Sequence, residues 1–576
     1  MIFQNGRWFS VLFLSVFLIL HSCKTEVAEE LSDSVPDTTD LHIERFSELF
    51  LDSSEIQFFL RGNPDFATDS AGVLEFYRMR NYQFAWFNKD GMKEHASHFL
   101  NMLLNRLDEA PDGYRFPVSQ LQQLHDTVHS VYYPYQGADS LTTRLELALT
   151  SSYMEFARQI YVGVGDEAWK SLEWFIPRKK IAVTGLLDTL LKNPPGYISE
   201  AEPNHYMYND LRDYLNLYSD VLNSGEWMVP EQNFKKLVKG DSSAVIAQIK
   251  KCLFLLGDLT EDDTTLVFEE KTEEAVVNFQ YRHGLEADGV IGKSFMEQLS
   301  VPLESRINSI LINMERCRWL PERPEGEFIL VNLPEFKLHV FDGKEHLWHC
   351  NVIVGTTKTN TIIFTGNLKY VVFSPYWNVT RNIVVNEILP AAKKNPAYLQ
   401  KHNMEAFLPG PPLKIIDPTT IDWKKYNSRT FPYHIRQKPG KSNSLGQVKF
   451  LFPNSYSIYL HDTPTKNLFR ESKRSFSHGC IRVEEPFRLA EFLLRNDTAW
   501  TPEKIRKAMD SGKEKFVVLK NEVPVFLLYL TSWVDEYGEL NFRNDLYGHD
   551  EKLQKVLFRM PLPQIQTDSL MTQEVL

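Results

Sequence analysis

Hydrophobic spacing divides the chain into three stretches. From about Ile43 to Trp227, apolar residues recur every three or four positions in RFSELFLDSSEIQFFL, GVLEFYRMRNYQFAWFN and RLELALTSSYMEFARQIYVG. This predicts helices, interrupted at Pro111-Asp112-Gly113 and Pro194-Pro195-Gly196. The aromatics of the stretch, Tyr77, Tyr82, Phe84, Trp86 and Phe87, read as core packing before they read as a sugar-stacking platform. From about Phe234 to Val301 the chain forms a compact unit. Val245, Ile249, Leu253 and Leu256 make one helical stripe, Thr272, Ala275, Val276, Phe279 and Gln280 a second, and glycine turns follow at 283–285 and 288–292. After a linking helix over about 304–319 the period shortens to two. FILVNLPEFKLHVFD, LWHCNVIVG and TIIFTGNLKYVVFSPYWNV read as strands, with a hairpin turn at Asp342-Gly343, as in a sandwich or small barrel.

The strand pattern lapses between about 386 and 441, which is rich in Lys, Ala and Pro. So long an interruption inside a β domain is expected to be a lid or a disordered loop. It resumes where Tyr456, Ile458 and Leu460 alternate with Ser457, Tyr459 and His461, placing His461 on the less apolar face. Helices are expected in FRLAEFLLRN, entered through Pro486, and in TPEKIRKAMDSG; VPVFLLYLTSWVD reads as a strand pair at the edge closing the β domain. The expected fold class is α+β multidomain: a helical scaffold domain over 43–233, a three-helix module over 234–301, a mostly-β domain over 302–552 with a lid inserted at about 386–441, and a loosely held tail over 553–576.

The N-terminal stretch carries one Arg and then an apolar run from Trp8 to Leu20, shorter than the ~20 residues a membrane span needs and suited to a secretory segment. It leads into Leu20-His21-Ser22-Cys23, which resembles a bacterial lipobox with Cys23 as the lipidated residue, so 1–23 is read as a lipoprotein-type signal. An uncleaved anchor and an ordinary signal peptide are the other readings. Residues 24–42 are acidic and rich in Ser and Thr, a tether. Export to the cell envelope, anchored to a membrane and periplasmic, would separate the protein from ATP. A bond-forming reaction there must draw its energy from a bond already in the substrate.

A length of 576 residues predicts three or four domains, and 43% hydrophobic with 24% charged residues is a globular composition. A net charge of −12 disfavours nucleic acid as the main partner. The five cysteines, 23, 252, 317, 350 and 480, show no CxxC spacing; Cys252 and Cys350 sit in apolar runs as core filler.

Candidate chemistry concentrates in YSIYLHDTPTKNLFRESKRSFSHGCIRVEEP at 456–486. A thiol becomes an effective nucleophile when a base removes its proton, and His461 is positioned in sequence to be that base for Cys480. The N–H groups of Gly479 and Cys480 are candidate oxyanion donors. From residue types alone, Cys480 is also readable as a small buried hydrophobe, and His461, His478 and Cys480 as zinc ligands, although no HExxH or paired-Cys spacing lies nearby.

His461, fifteen intervening residues and Ser477-His478-Gly479-Cys480 together resemble the signature of YkuD-type L,D-transpeptidases. YWNV at 376–379, LGQVKFLFPN at 445–454, IYLHDTPTKNLF at 458–469 and Arg482 resemble its large YcbB-like branch, the helical stretch that branch's scaffold domain, and the FQ, GL and DGVIG landmarks of 234–301 a peptidoglycan-binding module. The resemblance implies that Cys480 attacks a tetrapeptide stem, releases D-Ala and passes the acyl group from a thioester to a diamino acid amine, forming a 3→3 cross-link. It implies no cofactor and no metal. Asp462 is expected to orient His461 by carboxylate or main-chain carbonyl, and Ser477 and His478 to position Cys480. Tyr459, Arg482, Arg474, Trp377 and Asn378 are the expected substrate contacts. The partners are then peptidoglycan stem peptides and, through the lipid, a membrane. The rival readings are hydrolysis of the same thioester, a non-catalytic wall-binding lipoprotein and, more distantly, a zinc peptidase.

Overall fold

The computed structural model describes residues 46–109, 118–130, 133–165, 172–195, 205–410 and 412–558. The signal, the tether, Cys23 and the turn at 111–113 lie outside the described residues. The described residues from Ser47 onward belong to one compact unit.

The first third is helical, as its periodicity predicts. Ser140–Ala157 runs through its middle, buried along most of its length, with Ser70–Met79, Val118–His129 and Val183–Lys192 packed against it. Glu146 within that helix accepts hydrogen bonds from the Tyr77 hydroxyl at 2.7 Å and the N–H groups of Ala85 and Trp86 at 2.5 and 2.9 Å. Tyr77, Phe84, Trp86 and Phe87 are fully buried around it, which makes them core. A buried carboxylate with this many donors is held in place rather than left costly. The next unit has three helices, Ala244–Leu255, Glu270–Arg282 and Lys293–Leu299. Arg282 ion-pairs with Asp258 and donates to the Leu540 carbonyl at 3.3 Å, tying the unit to the C-terminal hairpin Ser532–Val534/Leu540–Phe542. The helix Leu303–Arg318 follows, with its C-terminal half buried on all sides.

The β domain has nine paired strands: β1 (Glu327–Asn332), β2 (Lys337–Asp342), β3 (Glu345–Gly355), β4 (Thr365–Phe373), β5 (Val448–Leu451), β6 (Leu460–His461), β7 (Ser475–Ser477), β8 (Ile481–Val483) and β9 (Lys515–Leu528). The order β1-β2-β3-β8-β6-β5-β4-β9 returns to β1, so eight strands close on themselves, and β7 attaches to β3 outside the ring. Closure removes the exposed edges that an open sheet would have to protect. β9 corrects an expectation: it runs between β4 and β1 rather than along an edge.

The inserted segment is ordered and larger than its composition suggests. It opens with Trp377–Asn378 and closes with His434–Gln437, which pair in a four-stranded sheet with Met404–Leu408 and Lys414–Ile416. It has its own core, including Val384, Ile388, Leu389, Trp423, Phe431 and Ile435. The start expected at about 386 therefore falls too late, because its first strand is only two residues long. The tail expected from 553 also begins too early: His549–Leu557 is a helix with Leu553 buried, and Asp550 pairs with Arg316 at 2.6 Å.

Candidate active site

β6 and β8 lie side by side in parallel, with Leu460 opposite Ile481 and His461 opposite Arg482. The Ile481 N–H donates to the Tyr459 carbonyl at 3.1 Å and extends the ladder by one step. Because side chains alternate, Leu460, Ile481 and Val483 enter the core while Tyr459, His461, Cys480 and Arg482 share the other face. His461 and Cys480 are thus diagonal neighbours on one face of the sheet. Cys480 is partly exposed, whereas Cys252, Cys317 and Cys350 are buried, with their thiols pushed up to about 12 by desolvation.

His461 is held in one tautomer. Its Nδ1 lies 2.5 Å from the Asp462 main-chain carbonyl, so Nδ1–H donates there and Nε2 keeps its lone pair. The Asp462 carboxylate does other work. It accepts from the N–H groups of Gln447 and Thr463 at 2.9 and 2.7 Å and pairs with Lys466 at 2.7 Å. Gly446 gives it room: a Cβ there would lie 2.2 Å from Asp462 Oδ2, and φ is +61°. Burial, reinforced by Arg482 and then by Lys449 and Lys466, lowers the His461 imidazole to about 3, against the Asp462 bond. The cations come from both neighbours in the ladder, since Lys449 of β5 and Arg482 of β8 each stand opposite His461. At neutral pH the ring is uncharged.

The Cys480 thiol is raised by desolvation, opposed by hydrogen bonds from the Tyr459 main chain and phenol and by the charge of Arg482. It is a protonated thiol whose Sγ lies 3.6 Å from the Ser457 carbonyl. Tyr459 bridges the pair: its phenol meets the sulfur, and its ring lies 5.7 Å from the His461 ring, edge to face. Arg482 is lowered by desolvation, and Cys480 is the group that opposes this. No carboxylate pairs with its guanidinium among the described residues.

Ser477 clamps the turn. Its Oγ donates to the Cys480 carbonyl at 2.5 Å and accepts from the Gly479 N–H at 3.1 Å. This corrects one expectation, since the Gly479 amide is already engaged. What requires glycine is φ of +110°; a Cβ would meet only ordinary contacts. The Cys480 N–H has no acceptor among the described residues, which leaves it as a donor beside the sulfur together with the Tyr459 phenol and main chain. The loop after β3 holds the same turn from outside: the Thr356 N–H and Thr359 hydroxyl donate to the Ser477 carbonyl at 3.1 and 3.0 Å, and the Thr361 hydroxyl to Gly479 at 2.9 Å. These threonines, more than a hundred residues from Cys480, carry no signal in the sequence.

The other expected site residues have partners of their own. His478 is engaged by the insertion, its Nε2 lying 2.7 Å from Glu387 Oε1, and it forms no metal-ligand group with Cys480 among the described residues. Arg474 donates to the carbonyls of Glu471 and Phe336 at 2.8 and 3.3 Å and lines a separate cleft of about 720 Å³ with Arg470, Lys473 and Arg543. Trp377 packs on the insertion's core, and Asn378 is exposed on the strand paired with Arg436.

Residues 326–506 match the family model "L,D-transpeptidase catalytic domain", 71–215 "Scaffold domain" and 242–299 "Putative peptidoglycan binding domain". A Haemophilus influenzae protein named "Putative L,D-transpeptidase" is 35% identical over 251 residues, covering 43% of this chain and 50% of that protein. The chain thus spans about half the length of this curated relative. Two solved L,D-transpeptidases, from Xylanimonas cellulosilytica and Stackebrandtia nassauensis, are 12% and 13% identical. They cover 52% and 51% of this chain, and 100% and 94% of their own, at TM-scores of 0.17 and 0.21, too low for either overlay to bear on the fold.

Proposed function

From the premise that this chain carries a YkuD-type L,D-transpeptidase catalytic domain together with a scaffold domain and a peptidoglycan-binding-type domain, we propose that it forms 3→3 cross-links between peptidoglycan stem peptides through a thioester on Cys480. The observation that carries this reading is the shared face of β6 and β8, where a partly exposed thiol stands with a neutral imidazole and a guanidinium, the imidazole's Nε2 and the guanidinium having no partner among the described residues.

The thiol leaves the Ser457 carbonyl and gives its proton to His461 Nε2 as the sulfur attacks the carbonyl preceding the terminal D-Ala. The Cys480 N–H and the Tyr459 phenol receive the oxyanion. Collapse breaks the C–N bond, the imidazolium protonates the departing D-Ala amine, and a thioester remains. The side-chain amine of a second stem then attacks, giving its proton to His461, which returns it to the sulfur. The energy of the broken peptide bond is kept in the thioester, so no nucleotide is consumed.

Arg482 connects binding to activation. A substrate carboxylate on its guanidinium cancels part of the positive field at His461, raises the imidazole's affinity for a proton and so makes it a better base when substrate is present. The insertion, tied to the motif by His478 and Glu387, covers the acyl group against water, which favours transfer over hydrolysis. Lipidation at Cys23 anchors the enzyme in the cell envelope, where its substrate lies. Mass spectrometry of products from a disaccharide-tetrapeptide is the test. Dimers lacking one D-Ala are expected; tripeptide alone would mean that water resolves the thioester, and an unchanged substrate would remove the enzymatic reading.

A further inference from the structure

Away from Cys480, β2 and β3 present three histidines on their outer face. His339 stands opposite His349, while Leu338, Val340, Trp348 and Cys350 point into the core. In a regular ladder, residue 346 would face the opposite side from 349. A bulge prevents this: Val340 pairs with Trp348 but Phe341 pairs with His346, so Leu347 is extra and His346 turns to the face of the other two. Bulges commonly re-aim a side chain in this way. The three ring centroids form a nearly equilateral triangle, at 5.3, 5.5 and 5.6 Å.

The nitrogens are arranged as well as the rings. His339 Nε2 lies 3.0 Å from Glu335 Oε2 and His346 Nδ1 lies 2.9 Å from Glu536 Oε1, so each outer nitrogen donates to a carboxylate. That leaves the lone pairs of His339 Nδ1 and His346 Nε2 facing each other at 3.2 Å. Two acceptors do not stabilise one another; something positive belongs between them, either a proton or a metal ion. Their spacing matches a metal: with Zn–N bonds of about 2.0–2.1 Å, neighbouring nitrogens of a tetrahedral site lie roughly 3.3 Å apart. A His349 nitrogen lies within 4.8 Å of both, on the most exposed of the three rings, the one with most freedom to close. Carboxylates on the outer nitrogens are the usual support of histidine ligands, fixing tautomer and orientation. Glu335 and Glu536 also bring negative charge next to the rings, with Lys337, 3.7 Å from Glu335, and Arg543 as the cations that act on Glu335.

We infer that His339, His346 and His349 form a binding site for a divalent transition metal of the zinc class, supported by Glu335 and Glu536. Imidazole ligands suit zinc, copper or nickel rather than calcium or magnesium. The ligands come from one hairpin, but Glu536 belongs to the C-terminal hairpin 532–542, so the ion fastens that segment to the barrel. The site stands apart from the thiol chemistry.

The test is calorimetric titration of zinc into the full chain carrying Cys23→Ala and Cys480→Ala, which removes Cys23 and the one partly exposed thiol among the described residues as competing ligands, after EDTA treatment. One zinc per chain is expected, together with a rise in thermal midpoint and visible ligand-field bands when cobalt replaces zinc. His349→Gln, at an exposed position, and His346→Gln should each weaken binding at least ~100-fold, and Glu536→Gln about 10- to 100-fold, with unchanged circular dichroism. Absence of saturable binding would overturn the proposal and leave a shared proton between His339 and His346. Binding that survives both histidine substitutions would overturn it equally.

Discussion

Replacing Ser477 with alanine tests the geometry that presents the thiol. The hydroxyl satisfies the Gly479 N–H at 3.1 Å and the Cys480 carbonyl at 2.5 Å, and both Ser477 and Gly479 are buried. Removing it orphans a buried donor, at about 1–3 kcal/mol, and weakens a buried acceptor, at about 1 kcal/mol, or roughly 2–4 kcal/mol together. A chain of this size does not unfold in one step, so the loss is read locally. Hydrogen exchange in a peptide spanning 477–481 should accelerate about 30- to 1,000-fold. A displacement of the thiol by about 1 Å should lower the acylation rate near 10²-fold. Ser477→Thr keeps the oxygen and should recover part of both. Exchange and acylation within twofold of the parent in Ser477→Ala would refute the clamp.

Stability should depend on His461. Its folded value near 3 lies below the ordinary 6.5, so the stability gained by keeping the ring neutral is full above pH 6.5 and is lost as pH falls toward 3, at up to about 1.4 kcal/mol per pH unit. The parent should therefore lose more thermal stability than His461→Gln between pH 7.5 and 4.5; equal losses would contradict this. Arg482→Gln should raise KM about 10- to 100-fold for a carboxylate substrate and little for the matching carboxamide, whereas equal effects on both would remove Arg482 from recognition. Glu387→Gln weakens a half-exposed pair worth at most about 1 kcal/mol. It should leave the fold intact while raising the ratio of tripeptide to dimer, and an unchanged ratio would sever the insertion from the choice between water and amine.

What the sequence makes legible follows local pattern. Period-three spacing found the helices around Tyr77 and Leu253, and period-two spacing with Asp342-Gly343 found the β2–β3 hairpin. The alternation from Tyr456 to His461 puts His461 on the right face although the paired strand is only two residues long. What escaped depends on distant residues. The Gly479 amide looks free until Ser477 folds back on it, and Arg474 reads as a substrate contact until the carbonyl of Phe336, more than a hundred residues earlier, accepts from its guanidinium. The insertion reads as a loop because its strands are short and supported by a separate core rather than by their own alternation. The histidines at 339, 346 and 349 match no ligand spacing because a bulge, invisible in a residue pattern, brings the middle one round.

The most direct measurement is intact-protein mass spectrometry of the full chain quenched early in its reaction with a disaccharide-tetrapeptide. The predicted result is a hydroxylamine-sensitive adduct of the donor minus D-Ala, mapped to Cys480 and absent in Cys480→Ala. Product formed by Cys480→Ala at the parent rate, or turnover with the acyl group on another residue, would contradict a thioester at this position.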